Sequence, residues 1–301
     1  MSIFNIHYIL SSMLTTGHLF SGAGGDTHGA IAAQCHPLWA IDNDKWAASI
    51  YRYQFPSILL LEKDIREISP VDLPKVDIII GGTPCPDFSI GGKRAGLNGD
   101  RGKLFWEFIR FLSILTPDYF VFENVAGILL NKCEFLMILN AFEYCGYYCQ
   151  YFRKNASRIV PQNRDRIFIV GFRKLVKWKS YKNSEIKYNI PSLQSIIGRN
   201  NKFICRAGDK DRIYTQIAPT ITGGGKRVGF AKYKIESLSG RRPITPNEVE
   251  QLMGWPINST LYGTNLLSIY RISNTQRIRA LGNSIVPKEI TELLNDLKDG
   301  R

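Results

Sequence analysis

The chain has 301 residues, 44% of them hydrophobic, enough for one sizeable core and a second, smaller domain. A formal net charge of +13 favours a polyanionic partner, nucleic acid before a membrane surface. Six scattered cysteines without a CxxC pair, four histidines and no apolar run of membrane-spanning length argue against a zinc site, a disulfide framework and a membrane protein.

In chain order, MSIFNIHYILSSML lacks the basic region and cleavage site of a secretory signal, so a cytoplasmic location is expected. GHLFSGAGGDTHGA follows as an apolar strand running into a glycine turn and a small-residue helix, where a ligand can approach the backbone. PLWAIDND reads as a second strand ending in Asp42, at the place where doubly wound folds bind a ribose diol. Alone, Asp42 reads better as a solvated strand-end carboxylate. Lys45 to Tyr53 is an expected helix, and SILLLEKDI a third strand ending near Asp64. VDIII is a fourth strand, broken by Gly81 and Gly82. It leads to Cys85, aimed by Pro84 and Pro86 on either side, and then to a glycine-rich basic segment, Gly91 to Gly102, that reads as a lid.

Apolar residues at 104, 105, 108, 111, 112 and 115 predict a helix from Lys103 to Leu115. YFVFEN is a fifth strand that delivers Glu123 and Asn124. A helix from Leu129 to Tyr144 and a strand from Tyr147 to Arg153 come next, with Cys145 and Cys149 read as packing residues. RIVPQNRDRIFIVGFR supplies a polar turn with Arg164 and Arg166, entering another apolar strand. The alternation predicts an α/β fold with a doubly wound, mostly parallel sheet. Gly22, Asp42, Asp64, Cys85 and Glu123 all fall at carboxyl ends of expected strands, where such sheets gather their ligand sites.

From Lys174 the texture turns basic and aromatic with poor periodicity, and Phe172 to Arg241 is too long for a plain loop. This is the expected start of a smaller, irregular domain suited to phosphate contacts and base stacking. TPNEVEQLMGWP then starts a helix with Thr245 as N-cap, Pro246 at the first position and Glu248 completing a capping box. RALGNSIVPKEITELLNDL reads as a polar turn followed by an amphipathic helix.

These segments, in this order, resemble the cytosine-5 DNA methyltransferase family. FSGAGG resembles its first cofactor motif, GGTPCPDFS its PC motif, ENV its glutamate motif, and QNRDR its QxRxR motif. RRPITPNEVEQLMGWP and LGNSIVP resemble its last two motifs. Pro86 stands where the family most often has glutamine, and His28 where apolar or aromatic residues are commoner.

The resemblance implies a class I, Rossmann-like catalytic and cofactor domain over residues 1–172, completed by 276–301, with target recognition in 173–275. It implies S-adenosylmethionine and no metal. Phe20, Ser21 and the turn of Gly22, Gly24 and Gly25 would line the cofactor, Asp42 its ribose, and Asp64 with Ile65 its adenine. Pro84, Leu104, Asn283 and Ser284 would lie nearby. Cys85 would attack C6 of a flipped cytosine, Glu123 would hold N3, and Arg166 the base oxygen, with Arg164 more suited to supporting the loop, although the two arginine roles could be exchanged. Ser89, Lys93, Arg94 and Arg101 would meet phosphates, and Arg206, Arg212, Thr220, Thr222 and Lys226 would read bases. The short recognition domain suits a short duplex target and a monomeric enzyme. A cognate restriction endonuclease stays open. The competing readings are a tRNA cytosine-5 methyltransferase, a catalytically inactive DNA-binding homologue and, on the glycine turn and Asp42 alone, a dinucleotide-dependent oxidoreductase.

Overall fold

A computed structural model of the chain describes residues 13–84, 102–174, 189–207, 210–223 and 232–299. The large lobe alternates β1 (Thr15–Leu19), α1 (Gly25–Ala32), β2 (His36–Ile41), α2 (Lys45–Gln54), β3 (Leu59–Leu61), β4 (Ile78–Gly81), α3 (Lys103–Leu115), β5 (Tyr119–Val125), α4 (Lys132–Tyr144), β6 (Tyr148–Asn155) and β7 (Asp165–Phe172). Among the described residues these strands form one sheet in the order β3-β2-β1-β4-β5-β7-β6. Neighbours from β3 to β5 are parallel, whereas β7 runs antiparallel to both β5 and β6.

Ile78, Ile79 and Ile80 of β4 are all fully buried, as expected of a central parallel strand covered on both faces. On β5, Phe120 and Phe122 face α3 and α4, where Phe105, Phe108 and Phe142 form an aromatic layer. Val121 faces the opposite way, toward α8 (Pro287–Asp299). The periodicity of α3 is realised with the predicted ends, burying Phe105, Phe108, Phe111, Leu112 and Leu115. The helix expected from Leu129 starts later. Residues Ala126–Leu130 form a 3-10 turn, and Asn131 caps α4 by accepting from the Glu134 amide at 3.3 Å. A capping side chain sets that boundary against the apolar pattern.

The small lobe contains α5 (Leu193–Ile197) and a four-stranded antiparallel sheet in the order β11 (Gly240–Pro243), β10 (Tyr233–Ser237), β8 (Lys202–Ala207), β9 (Lys210–Tyr214). Its core gathers Phe203, Tyr233 and Ile235 with Leu193, Ile221 and Ile244. Helix α6 (Pro246–Leu252) begins with the expected capping box: Thr245 Oγ1 accepts from the Glu248 amide at 3.2 Å, and Glu248 Oε2 from the Thr245 amide at 2.7 Å. A hairpin of β12 (Tyr262–Thr264) and β13 (Ile269–Arg271) lies on α2 of the large lobe, where Arg52 donates to the Thr264 carbonyl at 2.8 Å.

The LGN segment is not a turn. Helix α7 (Asn274–Asn283) runs through it, and the chain bends only at Ser284 before α8. Gly282 serves a close crossing instead: a Cβ there would lie 2.4 Å from the Gly223 amide nitrogen and 2.5 Å from the Thr222 carbonyl carbon.

Helices α6 and α7 are locked by a buried pair. Arg277 donates to Glu250 Oε1 at 2.9 Å, to Thr260 Oγ1 at 2.9 Å and to Asn247 Oδ1 at 2.7 Å. Glu250 is fully buried and also accepts from the Asn258 and Thr260 amides. Removing it would strand the Arg277 charge. Glu250→Ala is therefore expected to cost about 3–5 kcal/mol, read as a lower urea midpoint with an unchanged slope.

Candidate active site

The strand order reverses between β1 and β4, so the crevice of this sheet opens at their carboxyl ends. There the backbones nearly touch. Leu19 pairs with Gly81, and a Cβ on Gly81 would lie 2.4 Å from the Leu19 carbonyl oxygen. Beyond β1 the chain turns through left-handed conformations at Phe20 (φ 57°), Gly22 (φ 56°) and Gly24 (φ 96°). Phe20 holds a strained conformation for a bulky side chain, which the turn around it must sustain. The Gly22 amide donates to Asp42 Oδ2 at 2.7 Å, and the Asp44 amide to Asp42 Oδ1 at 2.8 Å. Burial pushes the Asp42 carboxyl up to about 6.

Four segments close one cleft. Phe20, Ser21 and Gly22 come from the β1 turn, Gly82 and Glu123 from the ends of β4 and β5, and Asn283, Ser284 and Ile285 from the α7–α8 junction. Gly25 explains how the junction reaches the first turn: a Cβ there would lie 2.3 Å from Ser284 Oγ and 2.4 Å from the Ile285 carbonyl oxygen.

Glu123 is buried, and its Oε1 accepts from Arg166 Nε at 2.8 Å. Its backbone and carboxylate press on Gly82, where a Cβ would be 2.7 Å from the Glu123 carbonyl oxygen and 2.8 Å from Oε2. Asn124 Nδ2 donates to Thr83 Oγ1 at 3.3 Å, so the ENV strand holds the segment that leads two residues later to Cys85. Cys85 itself lies outside the described residues, as do Pro86, Ser89, Lys93, Arg94, Arg101 and Lys226.

The two arginines of the QNRDR turn divide the work. Arg166 takes Glu123. Arg164 is buried and donates to the carbonyls of Ile221 (3.1 Å), Gly282 (3.3 Å) and Ser284 (2.5 Å). Gln162 joins the same crossing, its amide group donating to the Leu252 carbonyl and accepting from the Ile221 amide.

Other expected site residues lie elsewhere. Asp64 caps the Ile65–Glu67 turn, and hydrogen bonds from Arg66 hold its carboxyl down to about 2. Ile65 is in the large-lobe core, with its carbonyl accepting from Arg110, and Leu104 packs against that core. Asp42, Asp64, Ile65, Leu104 and Pro84 are not among the described residues that line the cleft itself. Arg206 on β8 and Arg212 on β9 are exposed. Thr220 Oγ1 donates to the Asn163 carbonyl at 2.5 Å, and Thr222 Oγ1 accepts from Lys232 at 3.0 Å, so both hydroxyls are engaged within the protein. Cys145 and Cys149 are partly buried against the core, and burial pushes the Cys149 thiol up to about 12.

Asp26 also lines the cleft, and the sequence reading missed it. Its Oδ2 lies 2.9 Å from His18 Nδ1, and His18 Nε2 lies 2.8 Å from Thr16 Oγ1, all buried. A histidine inside an apolar strand, ahead of an aspartate just past the glycine turn, was the available signal. His28 behaves as an aromatic filler. Its ring meets Phe55 and Trp255 edge to face, Nε2 pairs with Gln54 Oε1, and burial lowers its pKa.

Because Arg164 satisfies three buried carbonyls from both lobes, Arg164→Ala is expected to lose about 2–4 kcal/mol of stability, with Arg164→Lys recovering only part. Chemical denaturation of the two variants beside the wild type reads this difference.

A family model described as C-5 cytosine-specific DNA methylase matches residues 14–203. The chain is 43% identical over 160 residues to the type II methyltransferase M.NgoFVII of Neisseria gonorrhoeae, a match covering 52% of this chain and 42% of that protein. It is 28% identical over 323 residues to the type II methyltransferase M.Bsp6I of Bacillus sp. (strain RFL6), covering 95% of this chain and 98% of that one. It thus spans less than half of the first relative and nearly all of the second. The solved structure of Spodoptera frugiperda DNMT2 superposes with a TM-score of 0.69 at 25% identity, covering 95% of this chain and 99% of that one. With the family model matching more than half of its length, and the cleft built from the segments that carry the family's motifs, this chain belongs to the C-5 cytosine-specific DNA methylases.

Proposed function

We propose that the chain transfers a methyl group from S-adenosylmethionine to C5 of a cytosine flipped out of a short duplex DNA site, through a covalent bond between Cys85 and C6 that breaks again, releasing the thiolate, when a base removes the C5 proton. The observation that carries this reading is the convergence of Glu123, Arg166, Gly82 and the glycine turn on one sheet edge, with Thr83 leading directly to the cysteine.

The residues present fit the cofactor. Among the described residues a Cβ on Gly22 would meet nothing within 4 Å, which leaves the backbone room for a ligand there. Asp42 has two amide donors on its carboxylate and lone pairs left for two ribose hydroxyls. Phe20, Asn283 and Ser284 bound the same space. When bound, S-adenosylmethionine supplies an electrophilic sulfonium methyl group.

The protein's own share is to make C5 a nucleophile. Free cysteine is only about 3% thiolate at neutral pH, so the PC segment must aim and activate Cys85. Glu123 sits where a proton held between its carboxyl and N3 keeps negative charge from building on the ring. Arg166, fixed by Glu123, offers its remaining donors to the base oxygen. Arg164 positions the turn that leads into β7 and Arg166. Flipping costs a few kcal/mol, which the lid segment and backbone contacts offset. The small lobe, residues 173–275, presents exposed Arg206 and Arg212 for phosphate or base contacts. The chain acts as a monomer in the cytoplasm, as half of a restriction–modification pair, as a phage self-protection enzyme or as a solitary modification enzyme.

Two outcomes follow. Asp42 is protonated below about pH 6, well above its ordinary 3.8, and then loses the charge that strengthens its bonds to the ribose. Burial of the carboxyl favours the folded apoprotein at low pH, and that contribution fades as pH rises through about 6. Ligand binding has the opposite sign. Affinity for S-adenosylhomocysteine should fall roughly five-fold from pH 7.5 to 5, and Asp42→Asn should flatten the dependence. Calorimetric titration at several pH values measures both. Bisulfite sequencing of DNA from cells expressing the protein should show methylated cytosines in one short sequence context, absent with Cys85→Ser. Methylation of tRNA alone would refute the DNA reading.

A further inference from the structure

Helix α8 covers the sheet face on which Glu123 stands. Val121 of β5 and Phe168 and Val170 of β7 pack with Ile290, Leu293 and Leu294 of α8. Cross-strand register pairs Val121 with Val170, Glu123 with Phe168, Phe152 with Phe168, and Lys154 with Arg166. Strand alternation therefore carries Glu123, Arg166 and Lys154 onto this same face, just beyond the apolar patch.

The first turn of α8 sets Glu289 over that polar end. It is 1% exposed, and neither carboxylate oxygen has a hydrogen-bond partner among the described residues. The charged groups that act on it electrostatically are Lys154 from β6, Glu123 from β5, Arg164 from the turn before β7 and Arg166 from β7 itself. On α8 itself, Glu292 takes Lys154 at 3.3 Å and Arg158 at 2.8 Å. Helix α1, packed on the other side of α8 through Gly29 and Thr291, carries Asp26 and His28, which are engaged by His18 and Gln54. A carboxylate without donors in such a site is costly in its charged form, while the neutral acid is tolerated. Burial accordingly pushes Glu289 up to about 8.

We propose that Glu289 is a positioning residue for the Glu123–Arg166 pair, a buried carboxylic acid kept neutral beneath it so that Arg166 has a single carboxylate to engage. This rests on the reading of that pair as the groups that hold the target base. Once Glu289 ionises, a second carboxylate faces Arg166 and Arg164. The guanidinium is then shared, the base-holding geometry is lost, and methyl transfer slows on the alkaline side.

The test is single-turnover methyl transfer to duplex DNA from pH 6 to 9.5, for the wild type and Glu289→Gln, the neutral isostere. The ratio of the rate at pH 9 to that at pH 7 should be about ten-fold larger in the variant, the span of a group titrating near 8. Superimposable profiles overturn the proposal, as does a folded variant inactive at every pH. Should Glu289→Gln not fold, Glu289→Met takes its place with the same expected ratio. Unfolding temperature supplies a readout independent of turnover. Stability from an acid with a raised pKa is complete below its unfolded value and is lost as pH rises through the folded one. The wild type should therefore lose ground to the neutral variant between pH 5 and 8, and a constant difference contradicts the neutral acid. A wild type without methyl transfer would overturn the reading of the site and this inference with it. Wild-type activity with unchanged profiles overturns the inference alone.

Discussion

The close approach of backbones at the carboxyl ends of β1 and β4 is the constraint on which the rest depends. Gly81 lies against the Leu19 carbonyl and Gly82 against Glu123, at distances that admit no side chain. That contact fixes where the glycine turn leaves β1 and where the PC segment leaves β4. It also brings the Glu123 carboxylate to the same edge. A crevice in a doubly wound sheet becomes a site when chemistry-bearing residues are forced to its rim, and here two consecutive glycines do the forcing.

A second set of contacts ties the lobes to that rim. Arg164 spans the QNRDR turn, the segment at Ile221 and the α7–α8 junction, while Gly282 crosses Gly223 at backbone distance. Thr220 and Gln162 add bonds in the same place. The junction that closes one side of the cleft is thus held by the same arginine that fixes the turn leading into β7, where Arg166 stands. Movement of the small lobe would be felt at the cleft through this one crossing.

How much was legible in the sequence varied with the physics involved. Burial leaves a periodic trace, so α3 was read to its ends and the strand ends carrying Asp42 and Glu123 were located. Local hydrogen bonding leaves a trace too, as the Thr245 and Glu248 capping box shows. Long-range partner choice leaves none. Nothing local says that Arg166 rather than Arg164 takes Glu123, that His18 pairs with Asp26, or that Asp64 is occupied by Arg66. Nor does it say that β7 runs antiparallel between β5 and β6. Gly282 misled for a related reason: a glycine demanded by a close crossing looks the same as one demanded by a turn. In the small lobe, strands of four to six residues are too short for their alternation to stand out among basic residues.

At the centre of the account is a division of labour between Cys85 and a rigid Glu123–Arg166 pair, with the bond to C6 formed only while the base is held. The most direct measurement uses a duplex containing the target site with 5-fluorocytosine, whose C5 substituent cannot leave as a proton. Incubated with S-adenosylmethionine, the wild type should form a denaturation-resistant complex with the mass of one protein plus one duplex strand, mapping to Cys85. Complete methylation of ordinary duplex with no such adduct would contradict the account.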